Sequence, residues 1–212
     1  MDSAAFDQLY RSGEDPYGVH SRWYEARKRA ILLAALPRAR YGRAFEPACG
    51  IGVLTRELAL RCDHVLASDF SARAVATTYE GTRDLPNVDV MQQAVPDQWT
   101  QMPGGFDLIV LSELGYFLSA RDMAGVAQRC AQSLSPGGTL LACHWKPDFD
   151  ERRLTTQTVH GMLDALGLHR LASYEDADFR LAVWDRGALS VAQREGIRET
   201  PEAEERFEMA PR

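Results

Sequence analysis

Residues 43–55, Arg-Ala-Phe-Glu-Pro-Ala-Cys-Gly-Ile-Gly-Val-Leu-Thr, restrict the fold more than any other stretch. A buried strand, a tight glycine turn and the start of a helix follow one another there without a gap. Gly50 and Gly52 flank a single residue, where missing Cβ atoms let a ligand approach the backbone and positive φ carries little penalty. Glu46 stands at the strand's end. A second apolar run, residues 64–68, finishes at Asp69. A carboxylate at the tip of the second strand of an open α/β sheet is placed to accept both hydroxyls of a ribose. Together these features predict a nucleoside-bearing ligand across the carboxyl ends of strands one and two. The dinucleotide fingerprint asks for a third glycine where this chain has Thr55, which disfavours a nicotinamide-dependent oxidoreductase.

The series of strand, Glu46, Cys-Gly-Ile-Gly, helix, strand and Asp69 resembles the first two motifs of class I S-adenosylmethionine-dependent methyltransferases, and Leu-Ser-Pro-Gly-Gly-Thr-Leu at 134–140 resembles the family's pattern before strand five. The resemblance implies S-adenosyl-L-methionine as cofactor and S-adenosyl-L-homocysteine as product. Gly50 and Gly52, with Glu46 and Cys49, would lie beside the methionine end, and Asp69 with Phe70 would hold the ribose. Gln93 stands where the family commonly has an acid for the adenine amino group, and an amide oxygen also accepts from such an amine. Ala94 and Val95 would supply the backbone that reads the ring, and Ser112 would close the site. The implied fold is a Rossmann-like, seven-stranded, mostly parallel sheet with an antiparallel edge and helices on both faces.

Composition limits the rest. The chain has 212 residues, 45% of them hydrophobic, enough for one substantial core. A net charge of −6 argues against a nucleic-acid groove, and the basic residues of 22–43 read as a solvated helix face. Cys49, Cys62, Cys130 and Cys143 lack metal-ligand spacing and read as reduced thiols of a cytoplasmic protein; no metal site is expected. The start of the chain shows no secretory pattern, and the apolar run 30–36 is too short to span a bilayer.

In chain order, a short helix is expected at 4–11, then a loop. A helix from Ser21 carries Trp23, Ala26 or Arg27, Ala30, Leu33 and Ala34 at helical spacing and stops at Pro37. Trp23 and Tyr24 are expected to pack on the sheet edge. The alternative is that residues 1–42 form a helical lid over the cofactor site, with Tyr24 at the cofactor and Arg27 pairing its carboxylate. The core spans 43–186, with helices at 53–61, 71–82, 119–134 and 155–166. Its further strands lie at 88–91, 105–111, 139–145, 169–174 and 179–184, with a turn at 135–138. Residues 187–212 are charged and read as a loosely held tail.

Residues leaving a central strand's carboxyl end face the crevice, so Glu113, Tyr116 and His144 are the catalytic candidates, with His160 one helix away. Asp-Pro-Tyr at 15–17, Ser-Arg-Trp-Tyr-Glu at 21–25, Leu-Ser-Glu-Leu-Gly-Tyr at 111–116 and His-Trp at 144–145 are similar to the nodulation protein S family. That similarity implies N-methylation of a small-molecule amine, on an amino sugar or deacetylated chitooligosaccharide-like acceptor. Glu113 would hold the ammonium, and Trp145 or Trp23 would stack on a sugar face. The alternatives are an O-methyltransferase of a small hydroxylated metabolite, with His144 as base, and a non-catalytic scaffold.

Overall fold

The computed structural model describes residue 15 and residues 17–200. The helix expected at 4–11, Pro16 and the Glu-rich segment around Pro201 lie outside the described residues.

Seven strands form one sheet: β1 (Tyr41–Pro47), β2 (Cys62–Asp69), β3 (Val88–Gln92), β4 (Phe106–Ser112), β5 (Leu134–Trp145), β6 (His169–Glu175) and β7 (Phe179–Asp185). Their order is β3-β2-β1-β4-β5-β7-β6. β1 pairs in parallel with β2 and β4, β2 with β3, and β4 with β5, whereas β7 runs antiparallel to both neighbours. The expected antiparallel hairpin is therefore present, with β7 inserted between β5 and the edge strand β6. Strand order reverses between β1 and β4, so their carboxyl ends open the crevice that such a reversal creates.

The central strands bury both faces. Phe45, Ile109, Leu111 and Leu140 enter one core, and their alternates Ala44, Leu108, Val110 and Leu141 enter the other. α4 (Ala120–Ser133) and α5 (Thr156–Asp164) cover the first through Met123, Val126, Cys130, Val159 and Leu163. α1 (Trp23–Ala35) and α2 (Val53–Ala59) cover the second through Leu32, Leu54 and Leu58. Side-chain caps set the helix starts. Ser71 accepts from Ala74 N–H to open α3 (Ala72–Thr82), Ser119 from Asp122 N–H to open α4, and Thr155 from Thr158 N–H to open α5. All four cysteines are free and buried. Among the described residues no helix is long and apolar enough to cross a membrane.

Three details differ from expectation. First, α1 turns a different face inward: Lys28 and Leu32 are buried, while Ala30 and Ala34 face outward and Trp23 is 77% exposed rather than packed on the sheet. An apolar spacing rich in small alanines was a weak guide, because little area is at stake in their burial. Second, β5 begins before the expected turn. Phe106 pairs with Leu134 and Leu108 with Thr139, so residues 135–138 bulge out of an otherwise continuous strand. Third, the segment after β7 forms a short helix, α6 (Val191–Arg194), opened by a capping box between Ser190 and Gln193. Arg194 ties it to buried Asp185 at 3.0 Å.

Candidate active site

A cavity of about 730 Å³ lies over the carboxyl ends of β1, β2 and β4. Its floor is the turn after β1. Ala48 and Gly50 hold φ of +63° and +57°, and Gly52 at +80° precedes α2. This run of left-handed residues turns the Gly50 N–H toward Asp69, whose Oδ2 accepts it at 3.0 Å while Oδ1 accepts Ser71 N–H at 2.9 Å. Asp69 thereby joins the turns after β1 and β2. Cys49 and Phe70 line the same wall. Gly52 serves a different purpose from the one expected: it does not line the cavity, and a Cβ there would lie 2.7 Å from Thr78 Cγ2. Its bare backbone lets α3 pack onto the turn, and Thr78 Oγ1 then donates to the Gly50 carbonyl at 2.8 Å.

Glu46 is 2% exposed and accepts from Thr55 Oγ1 at 2.6 Å. Burial pushes its pKa up to about 8, against the pull of that hydrogen bond. Thr55, which stands where a dinucleotide turn has its third glycine, is thus the partner that makes a buried acid tolerable.

The other wall is built on Glu113, which leaves β4 at φ +55°. Its Oε1 accepts from Lys28 Nζ at 2.7 Å, and its Oε2 accepts Trp145 N–H at 3.0 Å together with the Tyr116 hydroxyl. One carboxylate thus joins α1, the end of β5 and the 3₁₀ turn Gly115–Phe117. A non-glycine residue in this conformation is strained, and strain of this kind gathers at functional sites. Lys28 also reaches Glu25 at 3.1 Å and lies over the Tyr24 ring, 5.1 Å from its centroid. Burial alone would lower its pKa, but Glu113 and Glu25 outweigh that and hold it above the usual lysine range. Tyr24 packs edge-on against Trp145, and its hydroxyl is buried without a partner among the described residues.

Of the residues proposed from sequence, Tyr24, Glu46, Cys49, Gly50, Asp69, Phe70, Ser112, Glu113 and Tyr116 line the cavity. Arg27 does not: it pairs with Asp176 at 2.9 Å and with the Tyr174 hydroxyl. Lys28, one residue later, is the inward cation that sequence reasoning missed.

His144 is also displaced from its expected role. It is fully buried, does not line the cavity, and its Nε2 accepts Gly115 N–H at 3.0 Å. A backbone N–H can only donate, so this lone pair is committed, and Nδ1 carries the proton toward His160 Nε2 at 3.2 Å. Burial, with Lys28 and Arg152 nearby, lowers the His144 pKa to about 3. It is a structural support for the turn after β4, and neither nitrogen can take a proton from a substrate in the cavity.

Gln93, Ala94 and Val95 lie beyond the cavity's boundary. Gln93 Nε2 donates to Thr100 Oγ1 at 2.5 Å, leaving Oε1 buried without a partner among the described residues. Ala94 N–H is taken by Gln98 Oε1 at 2.8 Å.

Comparison with known proteins agrees with this arrangement. A methyltransferase-domain family profile matches residues 44–138, from β1 to the bulge of β5. A solved structure from Pseudomonas syringae described as a methyltransferase shares 46% identity over 78% of this chain and all of its own, with a TM-score of 0.70. N-methyltransferase NodS from Bradyrhizobium japonicum WM9, solved with S-adenosyl-L-homocysteine, is 21% identical over 87% of this chain and 98% of its own, with a TM-score of 0.77. The ubiquinone biosynthesis O-methyltransferase of Xylella fastidiosa is 31% identical over 66% of this chain and 63% of its own. The chain spans about 60% of the length of the curated relatives it matches first.

The residues present fit such a cofactor: the Gly50 turn exposes backbone beside Asp69, and the cavity is large enough for a nucleoside with an amino-acid arm. A glycine turn coupled to the acid after β2, a sheet reversing at β1 and β4, and 46% identity along the whole of a methyltransferase chain lead to one assignment: this protein belongs to the S-adenosylmethionine-dependent methyltransferases.

Proposed function

We propose that the chain transfers a methyl group to an amine carried by a small, ring-bearing acceptor such as an amino sugar. The observation carrying this reading is the chemistry of the cavity beyond the glycine turn, where acids outnumber bases: Asp15, Glu25, Glu113, Glu151 and Asp178 stand against Arg22, Lys28 and Arg29. Aromatic rings alternate with these acids, among them Tyr17, Tyr24, Phe117, Trp145 and Phe149. Carboxylates with ring faces recognise an ammonium and the apolar face of a sugar. The name of the structural relative NodS, an N-methyltransferase, points the same way.

When bound, the cofactor supplies an electrophilic methyl on a leaving group that is already activated. This chain's residues have less to do. Asp69 and the Gly50 turn fix the nucleoside, and Tyr116 and Phe117 with Phe149 wall the acceptor side. Glu113 holds these parts in register, and alignment of this kind contributes most of the advantage in an in-line displacement. α1 covers this arrangement as a lid.

The rival reading, O-methylation of a hydroxyl, has support from the Xylella relative's name. Such a reaction requires a base at the hydroxyl proton; His144 is committed elsewhere and no histidine lines the cavity among the described residues, so one of the cavity carboxylates would have to take that proton. Labelled methyl transfer from S-adenosylmethionine to a panel of glucosamine, deacetylated chitotetraose, putrescine, catechol and a dihydroxybenzoate separates the two. Transfer confined to the catechol-type compounds refutes the amine reading.

A further inference from the structure

The Lys28 ammonium sits in a setting that chemistry would design for a guest cation: two carboxylates and a ring face, Glu113 at 2.7 Å, Glu25 at 3.1 Å and Tyr24 beneath. It is 5% exposed, and Lys28, Glu25, Glu113 and Tyr24 all line the cavity. Two carboxylates without Lys28 would recruit an amine and then hold it as ammonium, whose nitrogen has no lone pair to give. A fixed cation beside them offsets one carboxylate and disfavours a second cation close by.

We propose that Lys28 sets the protonation state of the acceptor amine, making it the charge-setting residue of the site. This rests on the amine reading above. The equilibrium concerned is R–NH₃⁺ losing its proton to solvent as R–NH₂; Lys28 stays charged throughout and takes no part in the transfer. The groups facing it are Glu25 and Tyr24 from its own helix, Glu113 and its partner Tyr116 from the end of β4, and Cys143 and His144 from β5. Tyr24, Tyr116 and Cys143 stay neutral because burial raises each of them, and His144 because burial lowers it, so the charge balance is set by Lys28 and the two glutamates. Arginine would preserve that balance; methionine, of similar length, would not.

The test is the pH dependence of kcat, measured with whichever of glucosamine, deacetylated chitotetraose or putrescine is methylated fastest, in wild type, Lys28→Met, Lys28→Arg and Glu113→Gln. A like charge nearby acts on an amine pKa by about one unit or more. The acid limb of Lys28→Met is therefore expected to move to higher pH by about that much. Lys28→Arg is expected to restore it, and Glu113→Gln to move it to lower pH, with S-adenosylhomocysteine affinity within about threefold of wild type for the lysine variants. An unmoved limb in Lys28→Met, or shifts of the same sign in Lys28→Met and Glu113→Gln, overturns the proposal while the amine reading stands. If no amine is methylated by the wild type, the amine reading falls and this proposal falls with it. Should Lys28→Met fail to fold, Glu113→Gln alone still decides, since an unmoved or raised limb there overturns the assignment.

Discussion

Thr55 Oγ1 donates to Glu46 Oε2 at 2.6 Å, where Thr55 is fully buried and Glu46 nearly so. This pair carries a pH signature. Burial raises the folded Glu46 pKa to about 8 from 4.5, so below about pH 4.5 the acid is neutral in both folded and unfolded states and costs nothing. Between those values the unfolded chain ionises first, and stability falls as pH rises by up to ~1.4 kcal/mol per unit. Glu46→Gln removes the ionisation. Its melting temperature relative to wild type is expected to climb steadily from pH 5 to pH 8 in thermal scans. A difference that stays flat across that range would show that Glu46 is not held neutral by burial.

The histidine pair gives the opposite slope. Folding lowers the pKa of His144 to about 3 and that of His160 to about 2, chiefly through burial. Both are neutral in either state above about pH 6.5, and stability is lost as pH falls below it, since the unfolded imidazoles protonate first. His144→Ala should destabilise by about 2–4 kcal/mol by leaving Gly115 N–H unpaired and opening a cavity. His144→Asn, whose amide oxygen can accept that N–H, should keep at least a third of wild-type turnover at a temperature where it is folded. Loss of turnover beyond a hundredfold in folded His144→Asn would restore the histidine to the chemistry.

Asp69 is expected to matter twice. Asp69→Ala removes a charged acceptor from the proposed ribose position, which by the cost of losing such a hydrogen bond, about 1.5–3 kcal/mol, is expected to weaken S-adenosylhomocysteine binding tenfold or more. It also strips the partners of Gly50 and Ser71 N–H, so the melting temperature should fall as well. Calorimetric titration with an unchanged dissociation constant would place the ribose elsewhere.

Ala48 holds φ +63° without the freedom of glycine. The left-handed region costs an ordinary residue about 1–2 kcal/mol, while glycine adds about 0.5–1 kcal/mol of unfolded-state entropy. Ala48→Gly should therefore stabilise by about 0–1.5 kcal/mol, and Ala48→Val should destabilise clearly; denaturant melts would read both. A stabilised valine variant would contradict the assigned turn.

The sheet was readable because its central strands are continuous apolar runs and its turns carry glycine, serine caps and proline, all local signals. The turn after β1 and Asp69 were readable for the same reason. What α1 does was not. Residues 27–29 read Arg-Lys-Arg, and nothing in three adjacent bases says which turns inward. The available clue was the spacing of Tyr24, Lys28 and Leu32, one step apart on a helical face, where a charge interrupts an otherwise apolar line. His144 misled for a related reason. A histidine at a strand's carboxyl end looks ready for chemistry, and only tertiary contact shows that Gly115 N–H, from another segment, has taken its lone pair. Gly52 was recognised as necessary, but the neighbour requiring it, Thr78, lies a whole helix away in sequence.

The placing of β7 has a consequence for how the chain comes off the ribosome. The penultimate position in the sheet is filled by the strand that comes last in sequence among the described residues, so until Phe179–Asp185 emerges, β5 presents an open hydrogen-bonding edge lined by Leu141 and Cys143. An unpaired apolar edge invites association with other chains. A nascent chain stalled before residue 179 is therefore expected to be sticky rather than merely unfinished, and truncation there should yield aggregate where a cut after residue 187 yields monodisperse protein.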